Sequence, residues 1–274
     1  MIIRHFTVCS LLILASGLST VWALDYKIDF ELPAGSERFE SADWLAYDLH
    51  GLGFYRAPDR ASIDSSMAHG GRQSLKIVFP RSSVGPSQGG HQAAILLEPA
   101  DEYYLSYWLK FDLHFSWGGS EQGGKLPGLA QGKLCSGGSV CDGTNGFTAR
   151  YMWRTGGAAV LYLYHMDKPH QWGQDFPLVA ADGQPLFFEP GQWIHLLQRV
   201  RVNSGDRANG EVQVWFNGTE ALNLNGLRFV SDNSKIDTFY VSTFHGGNTA
   251  DWGPVNESHL WLDDIEISTR PIIP

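Results

Sequence analysis

Gly146-Phe-Thr-Ala-Arg-Tyr-Met-Trp-Arg-Thr-Gly-Gly-Ala-Ala-Val-Leu-Tyr-Leu-Tyr-His-Met166 reads as two short β-strands around a turn. Aromatic and β-branched residues alternate with small or polar ones, and no helical period runs through the stretch. Alternation assigns two faces to each strand. In 146–154, Thr148, Arg150, Met152 and Arg154 share one side, and Phe147, Ala149, Tyr151 and Trp153 the other. In 159–166, Tyr162, Tyr164 and Met166 oppose Leu161, Leu163 and His165. Thr155-Gly-Gly-Ala-Ala159 supplies the turn. An odd-length loop brings Arg150 and both tyrosines to one face, whereas an even loop separates them.

Working outward, the same pattern recurs. Strands are expected near 26–32, 73–79, 91–98, 103–113, 193–202, 211–217, 238–244 and 259–268, bounded by Gly, Pro, Asn or Asp. No internal repeat and no Pro/Ser-rich linker divides the chain. Residues 24–274 therefore read as a single all-β domain, a sandwich of the jelly-roll kind. A 43% hydrophobic content is enough for a sizeable core, and 31 glycines agree with many turns. Twenty Lys and Arg against 29 Asp and Glu give a net charge of −9. That balance argues against nucleic acid as a partner. A local basic cleft for a polyanion remains compatible with it.

Residues 1–23 read as a secretory signal peptide. Arg4 and His5 precede an apolar stretch from Phe6 to about Leu18, and Val21-Trp-Ala23 places small residues for cleavage after Ala23. Polar breaks at Ser10, Ser16 and Ser19 make the run too short for a membrane span. The mature chain is expected to be secreted, extracellular or periplasmic, free of the membrane and monomeric. Cys135 and Cys141 then remain as a pair in an oxidising compartment and read as a disulfide. Asn217-Gly-Thr219 and Asn256-Glu-Ser258 match the N-glycosylation sequon.

Several constellations could carry chemistry. Gly123-Gly-Lys125-Leu-Pro-Gly-Leu129 lacks the spacing of a phosphate-binding loop and looks like a turn that sets one lysine at a strand edge. From spacing alone, Lys125 reads equally as a solvated loop residue. Thr148, Arg150, Tyr162 and Tyr164 read either as a functional face or as an ordinary solvated one. Asp263-Asp264-Ile-Glu266 is the best match to a glycosidase carboxylate pair, yet it reads better as part of a closing strand. No Gly-x-Ser-x-Gly elbow and no metal-ligand spacing of histidines is present.

In order and spacing, these pieces resemble polysaccharide lyase family 14, the alginate and glucuronan lyases. The resemblance runs from about Tyr103 to Ile267. It rests on Tyr104-Leu-Ser-Tyr-Trp-Leu-Lys-Phe111, Gly123-Gly-Lys-Leu-Pro-Gly-Leu129, Ala149-Arg-Tyr-Met-Trp-Arg154 and Tyr162-Leu-Tyr164. It continues through Gly191-Gln-Trp193, Arg199-Val-Arg-Val-Asn203, Thr243-Phe-His-Gly-Gly247 and Trp261-Leu-Asp-Asp264. The resemblance implies a concanavalin-like β-jelly roll with a substrate groove on one sheet. It also implies that Lys125, Arg150, Tyr162 and Tyr164 are catalytic. The family's Ser-x-Arg pair falls on Thr148 and Arg150, so a threonine replaces the serine. His245 stands where an aromatic is expected to line the groove. Thr148, Arg154 and His245 are thus the expected substrate-binding residues.

A uronate lyase abstracts the proton at C5 and expels the sugar linked through O4. The C5 proton becomes acidic enough only when the adjacent carboxylate is neutralised. Arg150 offers a planar fork for that carboxylate, and Lys125 a mobile point charge. Tyr164 is the first choice for base, with Tyr162 assisting, and their roles interchange in a second arrangement. No metal or cofactor is called for. In mannuronate and glucuronate, H5 and O4 lie on one side of the ring, so one tyrosine could serve both proton transfers. The expected partner is therefore an acidic polysaccharide, mannuronate-rich alginate or β-glucuronan ahead of guluronate blocks. Trp117, Trp172 and Trp252 either stack on sugars or belong to the core. The competing reading is a carbohydrate-binding sandwich without turnover.

Overall fold

A computed structural model describes residues 24–32, 38–56 and 58–274. The expected signal peptide, 1–23, lies outside the described residues. Fifteen strands are present among the described residues: β1 (Asp25–Ile28), β2 (His50–Arg56), β3 (Ala61–Asp64), β4 (Ser74–Phe79), β5 (His91–Ala100), β6 (Glu102–Phe111), β7 (Gly124–Ala130), β8 (Thr148–Trp153), β9 (Ala159–Tyr164), β10 (Gln174–Pro177), β11 (Trp193–Arg201), β12 (Gly210–Phe216), β13 (Thr219–Leu227), β14 (Ile236–His245) and β15 (Ser258–Ser268). They form two antiparallel sheets. One runs β13-β12-β11-β6-β15-β4-β3, with β1 also paired to β15. The other runs β10-β9-β8-β7-β14-β5-β2. The order mixes near and distant strands, as a jelly-roll sandwich requires.

The core lies between the sheets. Leu105, Leu109, Leu196, Val200, Val214 and Leu262 from the first sheet meet Ala149, Tyr151, Trp153, Leu161, Leu163 and Val241 from the second in one contiguous cluster. Alternation sends every second residue into this layer, so each strand of the second sheet presents its other residues outward. That outward face carries Thr148, Arg150, Tyr162 and Tyr164.

The segment expected to be a turn is instead a central strand. Gly124–Ala130 forms β7, hydrogen-bonded between β8 and β14. Its pattern misleads because the ladder is broken within it. Lys125 pairs with Met152 and Gly128 with Arg150, so Leu126 and Pro127 together oppose a single residue of β8. Such a bulge suits proline, which has no N–H to give a ladder. It also reverses the alternation. Leu126 and Leu129 both enter the core, while Lys125 comes onto the outward face. The loosened backbone is met from the opposite sheet. The Leu129 N–H donates to Oε1 of the buried Gln198 at 2.8 Å, and the Tyr107 hydroxyl donates to the Pro127 carbonyl at 3.1 Å. Gly128 passes so close to β8 that a Cβ there would stand 2.0 Å from the Ala149 carbonyl oxygen.

Strands β2, β3, β10 and β13 likewise lie outside the expected ones. Asp263 and Asp264 lie on β15, in the sheet opposite this face. Asp263 is buried and accepts the backbone N–H groups of His69, Gly70 and Asp264. The closing-strand reading of this acidic run holds.

Candidate active site

The β8–β9 hairpin builds the centre of the site. Trp153 pairs with Ala159, which leaves the five-residue loop 154–158. The loop is odd, so Arg150 stands opposite Tyr162, and Thr148 opposite Tyr164, all on one face. The two phenol rings meet edge to face, with centroids 5.5 Å apart.

Arg150 is 2% exposed. One guanidinium nitrogen, Nη1, donates to Ser242 Oγ at 3.0 Å, and the group lies 5.0 Å from the Tyr240 ring centroid. Its Nε is buried without a hydrogen-bond partner, and it joins none of the ion pairs formed among the described residues. Burial accordingly lowers its proton affinity from the usual guanidinium range. A buried cation in this state favours the arrival of an anion, because an unpaired charge in a low dielectric is costly.

Lys125 approaches from β7. Its Nζ lies 2.9 Å from Met152 Sδ and 4.2 Å from the Tyr162 ring centroid. Burial, and then the charges of Arg150 and Arg154, hold it well below the usual lysine range, and Asp175 opposes them weakly. Arg154 sits at the rim of the hairpin. Its fork is bound to Asp175 of β10 through two contacts of 2.8 Å, which leaves its charge 5.4 Å from the Tyr162 ring. Arg150, Lys125 and Arg154 thus bring three basic side chains together with the carboxylate of Asp175, and Lys168 Nζ lies 5.3 Å from the Tyr164 ring centroid, on a chain of net charge −9.

Both phenol oxygens accept backbone N–H bonds. Gly138 donates to Tyr164 Oη and Gly173 to Tyr162 Oη, each at 3.0 Å. Side-chain bulk is excluded at Gly173, where a Cβ would lie 2.7 Å from the Tyr164 ring. Burial, followed by the bond and charge of Tyr164, pushes the Tyr162 phenol up. Gly138 belongs to the loop closed by the disulfide between Cys135 and Cys141. Both cysteines pack in one buried cluster with Met152, Val160, Tyr162 and Tyr164. Thr148 is fully buried beneath this loop, and its hydroxyl donates to the Cys135 carbonyl at 3.3 Å. The hydroxyl therefore fastens the loop in this conformation.

His245 does not line the groove, contrary to expectation. It lies at the end of β14 on the inward face, fully buried, with Nε2 2.8 Å from the Ser116 carbonyl oxygen. Its ring stacks on Phe115 at 5.7 Å and meets Trp153 and Phe79 edge-on. Burial lowers its pKa to about 4. The alternation of β14 explains the placement, because Tyr240 and Ser242 take the outward positions that His245 cannot share. Those two residues, with Gln92, whose amide donates to the Tyr240 hydroxyl, were missed in the sequence. Their signal is present in the sequence, since alternation along the expected strand 238–244 puts Tyr240 and Ser242 on one face. Trp172 is exposed at 57% beside the Gly138 loop, whereas Trp117 packs against Phe111 and Phe115 and Trp252 packs on Gly247.

The sequence profile described as polysaccharide lyase 14 matches residues 67–265. The chain belongs to polysaccharide lyase family 14. It is accordingly a polysaccharide lyase, and the cluster on β7, β8, β9 and β14 lies within the matched region. Solved structures share the fold of this family member. Alginate lyase Aly36B, in a doubly substituted form in complex with an alginate trisaccharide, superposes with a TM-score of 0.74 at 23% identity, covering 91% of this chain and 98% of that one. The marine PL-14 alginate lyase from Aplysia kurodai gives 0.68 at 23%, covering 93% and 100%. The endo-β-1,4-glucuronan lyase from the fungus Trichoderma reesei gives 0.53 at 13%, covering 80% and 91%. No curated protein matches the chain in sequence at a significant level.

Proposed function

We propose that this lyase is secreted and cleaves a polyuronate, mannuronate-rich alginate or β-glucuronan, by β-elimination. The observation that carries the proposal is the buried Arg150 with an unpartnered Nε, flanked by Lys125 and facing two tyrosines. A guanidinium fork fits a uronate carboxylate, and pairing there withdraws charge from the adjacent C5–H bond. Tyr164 then takes the C5 proton as its phenolate. The C4–C5 double bond forms, the C4–O4 bond breaks, and O4 leaves with its electron pair. Tyr162, whose phenol holds its proton firmly, donates to O4. Both phenols lie on one face, which suits sugars whose H5 and O4 are on the same side of the ring.

A second reading is favoured by one observation. Lys125, held well below the ordinary lysine range, gives up its proton more readily than a free lysine, as a base requires. In that arrangement Lys125 takes the C5 proton and the tyrosines hydrogen-bond the sugar. Secretion is supported by the leader-like residues 1–23 and by the disulfide.

The test is ultraviolet absorbance of the conjugated unsaturated uronate, read on polymannuronate, polyguluronate and polyglucuronate separately. A rise on either of the first and third that is greater than on polyguluronate supports the proposal. A rise on polyguluronate alone overturns the same-face argument, and no rise on any of the three overturns the substrate class.

A further inference from the structure

A second feature lies away from this site, on the opposite sheet. Asn217 and Gly218 form the two-residue turn between β12 and β13, where Phe216 pairs with Thr219. Both have positive φ, 48° and 80°, as the tight hairpin turn favoured by Asn-Gly requires. The backbone of Asn217 donates to the His195 carbonyl at 2.9 Å, and its side-chain Oδ1 accepts the His195 N–H at 2.8 Å. The amide group is thereby oriented by its oxygen, and its nitrogen is left toward solvent. Asn217 and Thr219 are exposed and edge a cleft of ≈ 640 Å³, also lined by Pro185, Phe187, Ile194 and Trp193. Phe187 is 45% exposed there.

The other sequon is arranged differently. The Asn256 amide nitrogen donates to the Glu257 carbonyl at 3.0 Å and lies within reach of the His114 carbonyl at 3.4 Å. Ser258 is fully buried, and its hydroxyl accepts the Ser116 N–H at 3.0 Å and donates to the Asn256 carbonyl. A glycan at Asn256 would displace its nitrogen from these contacts, whereas one at Asn217 keeps the Oδ1 bond and loses nothing.

We propose that Asn217 is an N-glycosylation site and that the first N-acetylhexosamine of its glycan seats in this cleft against Phe187 and Trp193. The inference rests on the secreted reading and on a secretory pathway that transfers such glycans. In the transfer, C1 of a hexosamine carried on a lipid diphosphate bonds to Asn217 Nδ2. The lipid diphosphate departs with the electron pair of the C1–O bond, and Nδ2 gives up one proton. Aromatic rings are suited to the apolar face of such a sugar. The glycan projects from the sheet opposite the tyrosines, so substrate access is unaffected.

The test uses the full chain in a eukaryotic secretory host, once with its own N-terminus and once behind a secretory signal of proven function. Peptide mass spectrometry reads both sequons. The expected result is a glycan at Asn217, absent in Asn217→Gln, with Asn256 unmodified. An unmodified Asn217 in the chain behind the proven signal overturns the site, and glycosylation at Asn256 overturns the discrimination between sequons. Failure of the chain to reach the medium only behind its own N-terminus overturns the secreted reading instead. Seating is read by trimming the glycan to its first sugar. The trimmed protein should melt about 2–4 °C above Asn217→Gln, the shift corresponding to about 1 kcal/mol in a chain of this size. Phe187→Ala should erase that difference, and a difference that persists overturns the seating. Activity should match wild type in Asn217→Gln.

Discussion

Arg150 and Tyr162 are direct cross-strand partners on β8 and β9, and their side chains leave the sheet on the same side. The five-residue loop 154–158 fixes that relationship. It places a buried guanidinium beside a phenol, with no carboxylate among the described residues paired to the cation. Such a cation destabilises the free protein and gains its partner only with substrate. Arg150→Met should therefore raise stability by about 1 kcal/mol or more while lowering kcat/KM roughly 100- to 1,000-fold. Chemical unfolding and initial elimination rates read both. A variant that loses stability and activity together would show Arg150 to be structural.

Lys125→Arg and Tyr164→Phe separate the two candidate bases. A permanently charged arginine can neutralise a carboxylate but cannot accept a proton. With Tyr164 as base, Lys125→Arg should keep activity within about tenfold, while Tyr164→Phe loses 100-fold or more. With Lys125 as base, the losses are reversed. Since a base acts when deprotonated, the rate should rise with pH through its pKa. In the lysine arrangement that rise falls well below the ordinary lysine range.

Trp172 is exposed where the Gly138 loop covers the tyrosines. Trp172→Ala should raise KM on long polymers about two- to tenfold, as loss of one aromatic contact of 0.5–1.5 kcal/mol predicts, and leave kcat nearly unchanged. Steady-state kinetics on polymers and short oligomers provide the check, and an unaltered KM would place Trp172 outside the substrate path.

His245 titrates in the core. Its folded pKa, about 4, lies below the ordinary 6.5, so the unfolded chain binds more protons between these values. The contribution to stability is present above pH 6.5 and is lost as pH falls towards 4. The full loss is about 3 kcal/mol. Asp263 acts in the opposite sense, because burial raises it to about 6, and its contribution is lost as pH rises through that value. Comparison with His245→Phe isolates the histidine. Wild type should lose about 3 kcal/mol relative to the variant between pH 7 and 4 in urea titrations. Parallel curves would count against the buried, neutral histidine.

The Cys135–Cys141 disulfide closes a short loop, so replacing both cysteines by serine should cost about 2 kcal/mol. The same change frees the loop that carries the Gly138 amide to Tyr164. Activity should fall further than stability implies, with the loss seen at temperatures where the variant remains fully folded. Retained activity would show that the loop holds its position without the crosslink.

The fold was legible where apolar, β-branched and aromatic runs stand between turn residues. Strands β1, β4, β5, β6, β8, β9, β11, β12, β14 and β15 follow the β-branched and aromatic runs bounded by turn residues, and the outward grouping of Arg150 with both tyrosines needed only the alternation of β8 and β9 and the loop count. Family resemblance added Lys125 to that group, which spacing alone did not. The remainder was hidden for identifiable reasons. β7 contains Pro127 and two glycines, a composition that reads as a turn, and its pairing depends on Gln198 and Tyr107 from the facing sheet. His245 stands where the family resemblance implies a groove-lining aromatic, yet its face is set by the position of Tyr240 and Ser242. The covering of Thr148 and the tyrosines comes from loops 135–141 and 170–173, whose approach is a tertiary event with no local pattern.

The bulge in β7 has a consequence for how this enzyme can change. Lys125 faces outward because Leu126 and Pro127 occupy the place of one residue. Deleting either would leave Lys125 itself chemically intact but turn its ammonium toward the hydrophobic layer and a leucine toward the groove. Substitution can be absorbed one contact at a time, whereas a change in length by one reverses the whole segment. The Lys-Leu-Pro-Gly run should therefore tolerate conservative exchanges at Leu126 far better than any insertion or deletion. The position of its cation is written in the count of residues as well as in their identity.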